Sequence, residues 1–120
     1  MNKKDKIVAG LIMTIHGMAL GAPFTFGPGA LKWLGINYAI CLLGITASFH
    51  RQLTHRSFET PKLLEYTLAF FGTLAVQGHP IEWVSAHRHH HGECDDFADP
   101  HSPKDGFWWS HMGWLFDSKT

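Results

Sequence analysis

Two long apolar runs open the chain, and a polar, histidine-rich remainder follows them. Between Ile7 and Phe49 the single formal charge is Lys32. A membrane-spanning helix needs about 20 predominantly apolar residues, and the runs 7–26 and 30–49 both reach that length. The PFTFGPG stretch between them is typical of a turn. The pattern therefore predicts two transmembrane helices that form a hairpin.

The first apolar run has a competing interpretation as a cleavable signal peptide. It lacks a small-x-small cleavage site with a polar mature start, and a second apolar run follows instead. Cytoplasmic flanks of membrane helices carry an excess of lysine and arginine. Such residues lie at both ends of the predicted hairpin: Lys3, Lys4, Lys6, Arg51, Arg56 and Lys62. Both ends are therefore predicted to face the cytoplasm.

A third apolar run, Leu63–Val76, contains Glu65 and is too short to cross a membrane comfortably. Its apolar positions have helical spacing, which allows an interfacial or bundle-packed helix. The aromatic segment 106–116 is typical of the membrane interface. We therefore predict an all-α membrane protein, in which a two-helix transmembrane hairpin precedes a cytoplasmic or interfacial helical region.

Composition argues against two classes of protein. The net charge is zero with histidine neutral, so no electrostatic argument supports nucleic-acid binding. The chain has two cysteines, and Cys41 lies in an apolar run, which argues against a disulfide framework. Histidine, by contrast, occurs ten times, and this bias indicates where the chemistry lies.

The histidines are concentrated in HRQLTHR (50–56) and HRHHHG (87–92). If 87–91 is helical, His87, His90 and His91 share one face, whereas His89 points about 200° away. His50 and His55 would be about 140° apart on an α-helix, which suits a helix end or two neighbouring ions. If the two clusters share a metal site, Leu63–Val76 must dip into the membrane or lie flat on it.

Ligation by histidine alone suits zinc, copper, iron or nickel. The sequence contains no H-E-x-x-H, no E-x-x-H and no paired cysteines, so zinc proteases, soluble di-iron bundles and zinc ribbons are disfavoured. The pattern favours an iron site at the membrane surface. A solvated, titratable histidine patch or a residual tag is the alternative interpretation.

Three segments, GITASFHRQLTHRSF, GHPIEWVSAHRHHH and DPHSPKDGFWWSHMGW, resemble the membrane fatty acyl desaturases of the delta-9 acyl-lipid and acyl-CoA type. The family's first histidine box, H-R-x3-H, matches His50, Arg51 and His55. Its second box, H-R-x-H-H, matches the residues His87, Arg88, His90 and His91. The resemblance extends from about Leu42 to Asp117.

This resemblance implies a di-iron (Fe2+) centre with His50, His55, His87, His90 and His91 among its ligands. It also implies molecular oxygen, two electrons from ferredoxin or cytochrome b5, and a fatty acyl chain carried on CoA or on a lipid. The product would be a cis double bond, and the boxes would lie on the cytoplasmic or stromal side. A membrane hydroxylase on the same scaffold is a related alternative.

The family's third box, H-x2-H-H, is not present in the 120 residues. Two irons need about eight to ten ligand positions, and the first two boxes supply five histidines. We therefore expect residues 1–120 to be a partial desaturase domain, with a histidine-box region at 50–120, that is inactive by itself. It would be an amino-terminal part, a truncated product or one piece of a split enzyme. A non-enzymatic membrane metal-binding protein and an inactive remnant are the alternatives.

Overall fold

The computed structural model describes residues 3–96 and 98–116, and every regular element among them is helical. The α-helices are α1 (Lys3–Ala19), α2 (Pro28–Leu42), α3 (Lys62–Thr73), α4 (Pro80–Glu93) and α5 (Phe107–His111). A π-helix covers Leu43–Thr54, and short 3-10 helices cover Ala22–Phe24, Pro103–Asp105 and Gly113–Phe116. The predicted all-α fold is confirmed. The predicted limit of the resemblance at Asp117 lies outside the described residues.

Two helical stretches, Lys6–Phe24 and Pro28–Thr54, are long and apolar enough to cross a membrane. They correspond to the predicted runs 7–26 and 30–49. The second stretch extends five residues beyond the predicted end at Phe49, so that it includes His50. The extension occurs because the backbone remains hydrogen-bonded in π register as far as Thr54.

The chain divides into two compact units. One consists of residues up to Gly27 together with residues from Glu93 onward, and within it α1 contacts Gly113–Phe116. In the same unit the buried Asp99 accepts the backbone N–H groups of Asp95 at 3.0 Å and His101 at 3.1 Å. Asp99 therefore caps a turn.

The other unit, Pro28–Gly92, contains both histidine clusters. Its helices α2 and α4 each begin at a proline, which suits the first helical position because that N–H has no intrahelical partner. The third apolar run forms α3, which confirms its helical spacing. Helix α3 packs mainly against the π-helix.

The contact between the π-helix and α3 is a close approach of two glycines. A Cβ on Gly44 would lie only 2.5 Å from the Cα of Gly72, and a Cβ on Gly72 would lie 2.7 Å from Cζ of Phe49. The Phe49 side chain is 0% exposed, and its ring packs over Gly72. Small residues let helix backbones approach closely where lipid removes the hydrophobic drive for association. The two glycines therefore fix the distance between α3 and the π-helix, which carries His50.

We expect Gly44→Ala to destabilise the protein by about 1–3 kcal/mol, because the added methyl would overlap the backbone of Phe71 and Gly72. The measurement is reversible unfolding in detergent micelles, followed by circular dichroism. Gly35→Ala in α2 is the matched control, since a Cβ there meets no atom within 4 Å. Equal unfolding midpoints for the two variants would contradict the close packing of the π-helix on α3.

Candidate metal centre

The π-helix brings His50 and His55 onto one face. In an α-helix, residues five apart point about 140° away from each other. In a π-helix the backbone bond joins residues five apart, and here His55 N–H donates to the carbonyl of His50 at 3.1 Å. The two Nε2 atoms consequently lie 3.2 Å apart. His55 directly follows the π-helix as its C-cap residue, so the H-x4-H spacing forms a ligand pair at a helix end, which is one of the two arrangements predicted for it.

Helix α4 provides a second pair by ordinary α-helical spacing. His87 and His91 are four residues apart and lie on the same face, and their Nε2 atoms are 3.2 Å from each other. His89 is exposed and was predicted to point away from this face.

The two pairs form one cluster within the unit Pro28–Gly92. One ligand atom from each of four residues lies within 4.8 Å of all the others: His50, His55, His87 and His91. The rings of His50 and His87 are 4.7 Å apart, and those of His55 and His91 are 4.8 Å apart. Four of the five predicted ligands are therefore brought together. The fifth, His90, is not in this four-histidine cluster, and its ring lies 6.1 Å from that of His87.

The four-histidine cluster suits a divalent transition metal. Histidine nitrogens bind such ions at about 2.0–2.1 Å, so two of them on one tetrahedral ion lie about 3.3 Å apart. The 3.2 Å separation within each pair matches that distance. Imidazole donors suit zinc, copper, iron and nickel alike. The donor set therefore fits iron without selecting it from these metals.

His87 is the member of the cluster whose ionisation is most affected by the fold. Burial is the largest cause that lowers its pKa, and the neighbouring His50, His91, His55 and His90 contribute in that order, so that the pKa falls to about 4. The ring is consequently neutral at pH 7. Because only a neutral imidazole has a lone pair for a metal, His87 is already in the ligating form.

Trp83 supports the cluster from one side. Its indole packs on the ring of His87, with a centroid distance of 4.8 Å and an interplanar angle of 31°. It also contacts Phe49 at 5.8 Å, and its Nε1 donates to Oε1 of Gln77 at 3.1 Å. Trp83 lies one helical turn before His87 in α4, whereas no sequence pattern indicates Gln77 as its partner, because their bond spans a loop.

Comparisons with known proteins were made for the whole sequence. The sequence profile of the fatty acid desaturase family matches residues 7–120. The chain is 56% identical over 114 residues to delta-9 acyl-lipid desaturase 2 from Arabidopsis thaliana, a match that covers 95% of this chain and 37% of that protein. No solved structure matches the chain.

Two further relatives act on differently carried acyl groups according to their names. An acyl-CoA 5-desaturase from Anemone leveillei is 54% identical over 120 residues, covering 98% of this chain and 37% of that protein. The sn-1 stearoyl-lipid 9-desaturase of Anabaena variabilis is 53% identical over 105 residues, covering 82% and 39%. The chain thus spans little more than a third of the length of the curated relatives it matches.

We expect His91→Ala to lower the affinity for the first equivalent of Co2+ by more than about tenfold, since it removes one of four clustered ligands. Titration in detergent micelles, followed by the visible absorption of the bound ion, would measure this. His89→Ala is the control and should leave the affinity of wild type. Equal losses in the two variants would contradict the four-histidine cluster as the first metal site.

Proposed function

The chain belongs to the fatty acid desaturase family, and we propose that it contributes the first two histidine boxes of an acyl desaturase. The observation that carries this proposal is the four-histidine cluster. Two segments separated by more than thirty residues in the chain place their imidazoles within ligand distance of one another. A solvated histidine patch would not require a π-helix that aligns His50 with His55.

Iron is the proposed metal, with His50, His55, His87 and His91 at one ion and His90 at a second. When bound, a di-iron centre would supply the oxygen-dependent oxidation of an unactivated C–H bond, which no side-chain acid or base can perform. The chain's own contribution is to hold the imidazoles in place, with Trp83 packed on His87 and Phe49 packed on Trp83. The family's chemistry supports iron in preference to the other metals that the donors fit.

Five histidines are fewer than the roughly eight to ten ligand positions of a di-iron site. We therefore propose that the remaining ligands lie outside these 120 residues and that the chain forms a partial desaturase domain. This proposal agrees with the share of each relative that the chain covers. The histidine-box region, 50–120, would be completed by polypeptide that follows it in the relatives or by a complementing chain.

The proposed reaction removes two hydrogens from adjacent methylene groups of a fatty acyl chain and leaves a cis double bond. Molecular oxygen is reduced to two water molecules by those two hydrogens together with two electrons and two protons. Ferredoxin or cytochrome b5 is the proposed electron donor. The names of the relatives support an acyl substrate carried on a lipid or on CoA.

A groove in the unit Pro28–Gly92 is the proposed path for part of the acyl chain. It has a volume of about 200 Å³ and is lined by Tyr38, Leu42, Ile45 and Gln77, among others. Gln77 bonds to Trp83, and Trp83 packs on His87. This connection leads from an apolar groove on a membrane-length helix to the four-histidine cluster. The apolar walls would exclude water from the reacting carbons.

We propose that both boxes lie on the cytoplasmic or stromal side of the membrane. Lys3 and Lys6 precede the first apolar stretch, and Arg56 and Lys62 follow the second. This distribution supports a position of both flanks on the side where basic residues accumulate. Soluble electron donors could then reach the histidine region.

Expression of the chain together with the polypeptide that supplies the remaining ligands, in a host that lacks its own acyl desaturase, tests the proposal. We expect new cis-monounsaturated fatty acids, identified as methyl esters by gas chromatography with mass spectrometry, only when oxygen is supplied. His55→Ala should abolish the product, because it removes a proposed iron ligand. Hydroxy fatty acids would indicate the hydroxylase alternative. Retained metal without any oxygen-dependent product would instead favour a metal-binding protein.

A further inference from the structure

We propose that Arg88 is a positioning residue, which caps the π-helix and so holds the two histidine pairs at ligand distance. The inference rests on the proposed function only in that the four-histidine cluster binds a metal. It assigns to the arginine of the second box a role that depends on the backbone of the first box and on no contact with substrate or metal.

The end of the π-helix leaves carbonyl groups that no later N–H of the same helix can satisfy. The carbonyls of His50 and Arg51 accept the N–H groups of His55 and Ser57 at 3.1 and 2.9 Å. After them Arg56 adopts φ 50°, which turns the chain away and ends the helix. The final carbonyls, those of Leu53 and Thr54, therefore need a partner from elsewhere.

Arg88 is that partner. Its Nη2 atom donates to the carbonyl oxygen of Leu53 at 3.0 Å and to that of Thr54 at 3.1 Å. One nitrogen with two hydrogens thus satisfies two carbonyls at a helix C-terminus, where a positive charge is also favourable. These bonds join residues 34 and 35 positions apart, so they fix tertiary structure and not only a local turn.

The bonds of Arg88 lie directly beside the two histidine pairs. Arg88 follows His87 directly, and Thr54 directly precedes His55. The described contacts between α4 and the π-helix are made by long side chains, namely the ring contacts of Trp83 and the histidines together with this guanidinium. Arg88 joins α4, which carries His87 and His91, to the backbone beside His55. It therefore limits how far the two histidine pairs can separate.

Electrostatics alone predicts the opposite effect from positioning. A guanidinium close to a bound divalent cation repels it, so removal of the charge should tighten metal binding. If Arg88 positions the pairs, removal should weaken metal binding despite the lost repulsion. Lysine keeps the charge but lacks the planar fork of arginine, so Arg88→Lys separates charge from geometry.

The experiment is Co2+ titration of the chain in detergent micelles, with the affinity and the visible d–d spectrum recorded for each variant. We expect Arg88→Met to weaken binding by about 10–100-fold, the range found when groups that orient metal ligands are lost. Arg88→Lys should give a smaller loss and a changed spectrum. Arg51→Met removes the same charge beside His50 and should leave affinity equal to or above that of wild type.

Each outcome decides the inference. Wild-type or tighter Co2+ affinity in Arg88→Met would overturn it. If circular dichroism shows that Arg88→Met does not fold, Arg88→Lys becomes the test. Wild-type affinity and a wild-type spectrum in Arg88→Lys would overturn the proposal, because they would show that the geometry of the guanidinium has no effect on the site. Absence of Co2+ binding in wild type would count against the proposed metal centre itself, and the two failures are thereby distinguishable.

Discussion

The arrangement of the site depends on one change of backbone register. At Leu43 the second apolar helix passes from α-helical bonding to π-helical bonding and keeps it through Thr54. The wider turn gives residues five apart the same direction. Gly44 then meets α3, while His50 and His55 both turn toward α4. A continued α-helix would separate these two histidines by about 140°, and the first pair would not form.

Few contacts maintain this geometry. Phe49 is the one buried hydrophobic residue among those described, whereas Trp33 and Phe70 are 64% and 60% exposed. That distribution suits helices whose solvent is lipid, because apolar surface then gains little by packing on another helix. Close backbone approach at Gly44 and Gly72 takes the place of a large core. The bonds of Arg88 and Trp83 supply the polar connections that lipid cannot replace.

The chemistry of the cluster follows from this placement. Burial, and after it the neighbouring imidazoles, lower the pKa of His87 to about 4. The 3.2 Å separation of the Nε2 atoms within each pair already matches that of two ligands on one ion, so little reorganisation is needed on binding. A proposed oxidative centre at the end of apolar, membrane-length helices would place a polar metal site next to a non-polar substrate path.

The sequence by itself determined the element types and the candidate ligands. Apolar run lengths predicted the two membrane-length helices, periodicity predicted α3, and histidine spacing selected His87, His90 and His91, of which His87 and His91 lie in the four-histidine cluster. It could not predict that the helix continues past Phe49 or that His50 and His55 align, because π-helices are rare and side-chain patterns do not distinguish them from α-helices. Tertiary structure decided both, since Gly44 against α3 and Arg88 at the last carbonyls are contacts between distant segments. Local spacing determines which residues share a helix face, but only packing between helices determines which faces meet.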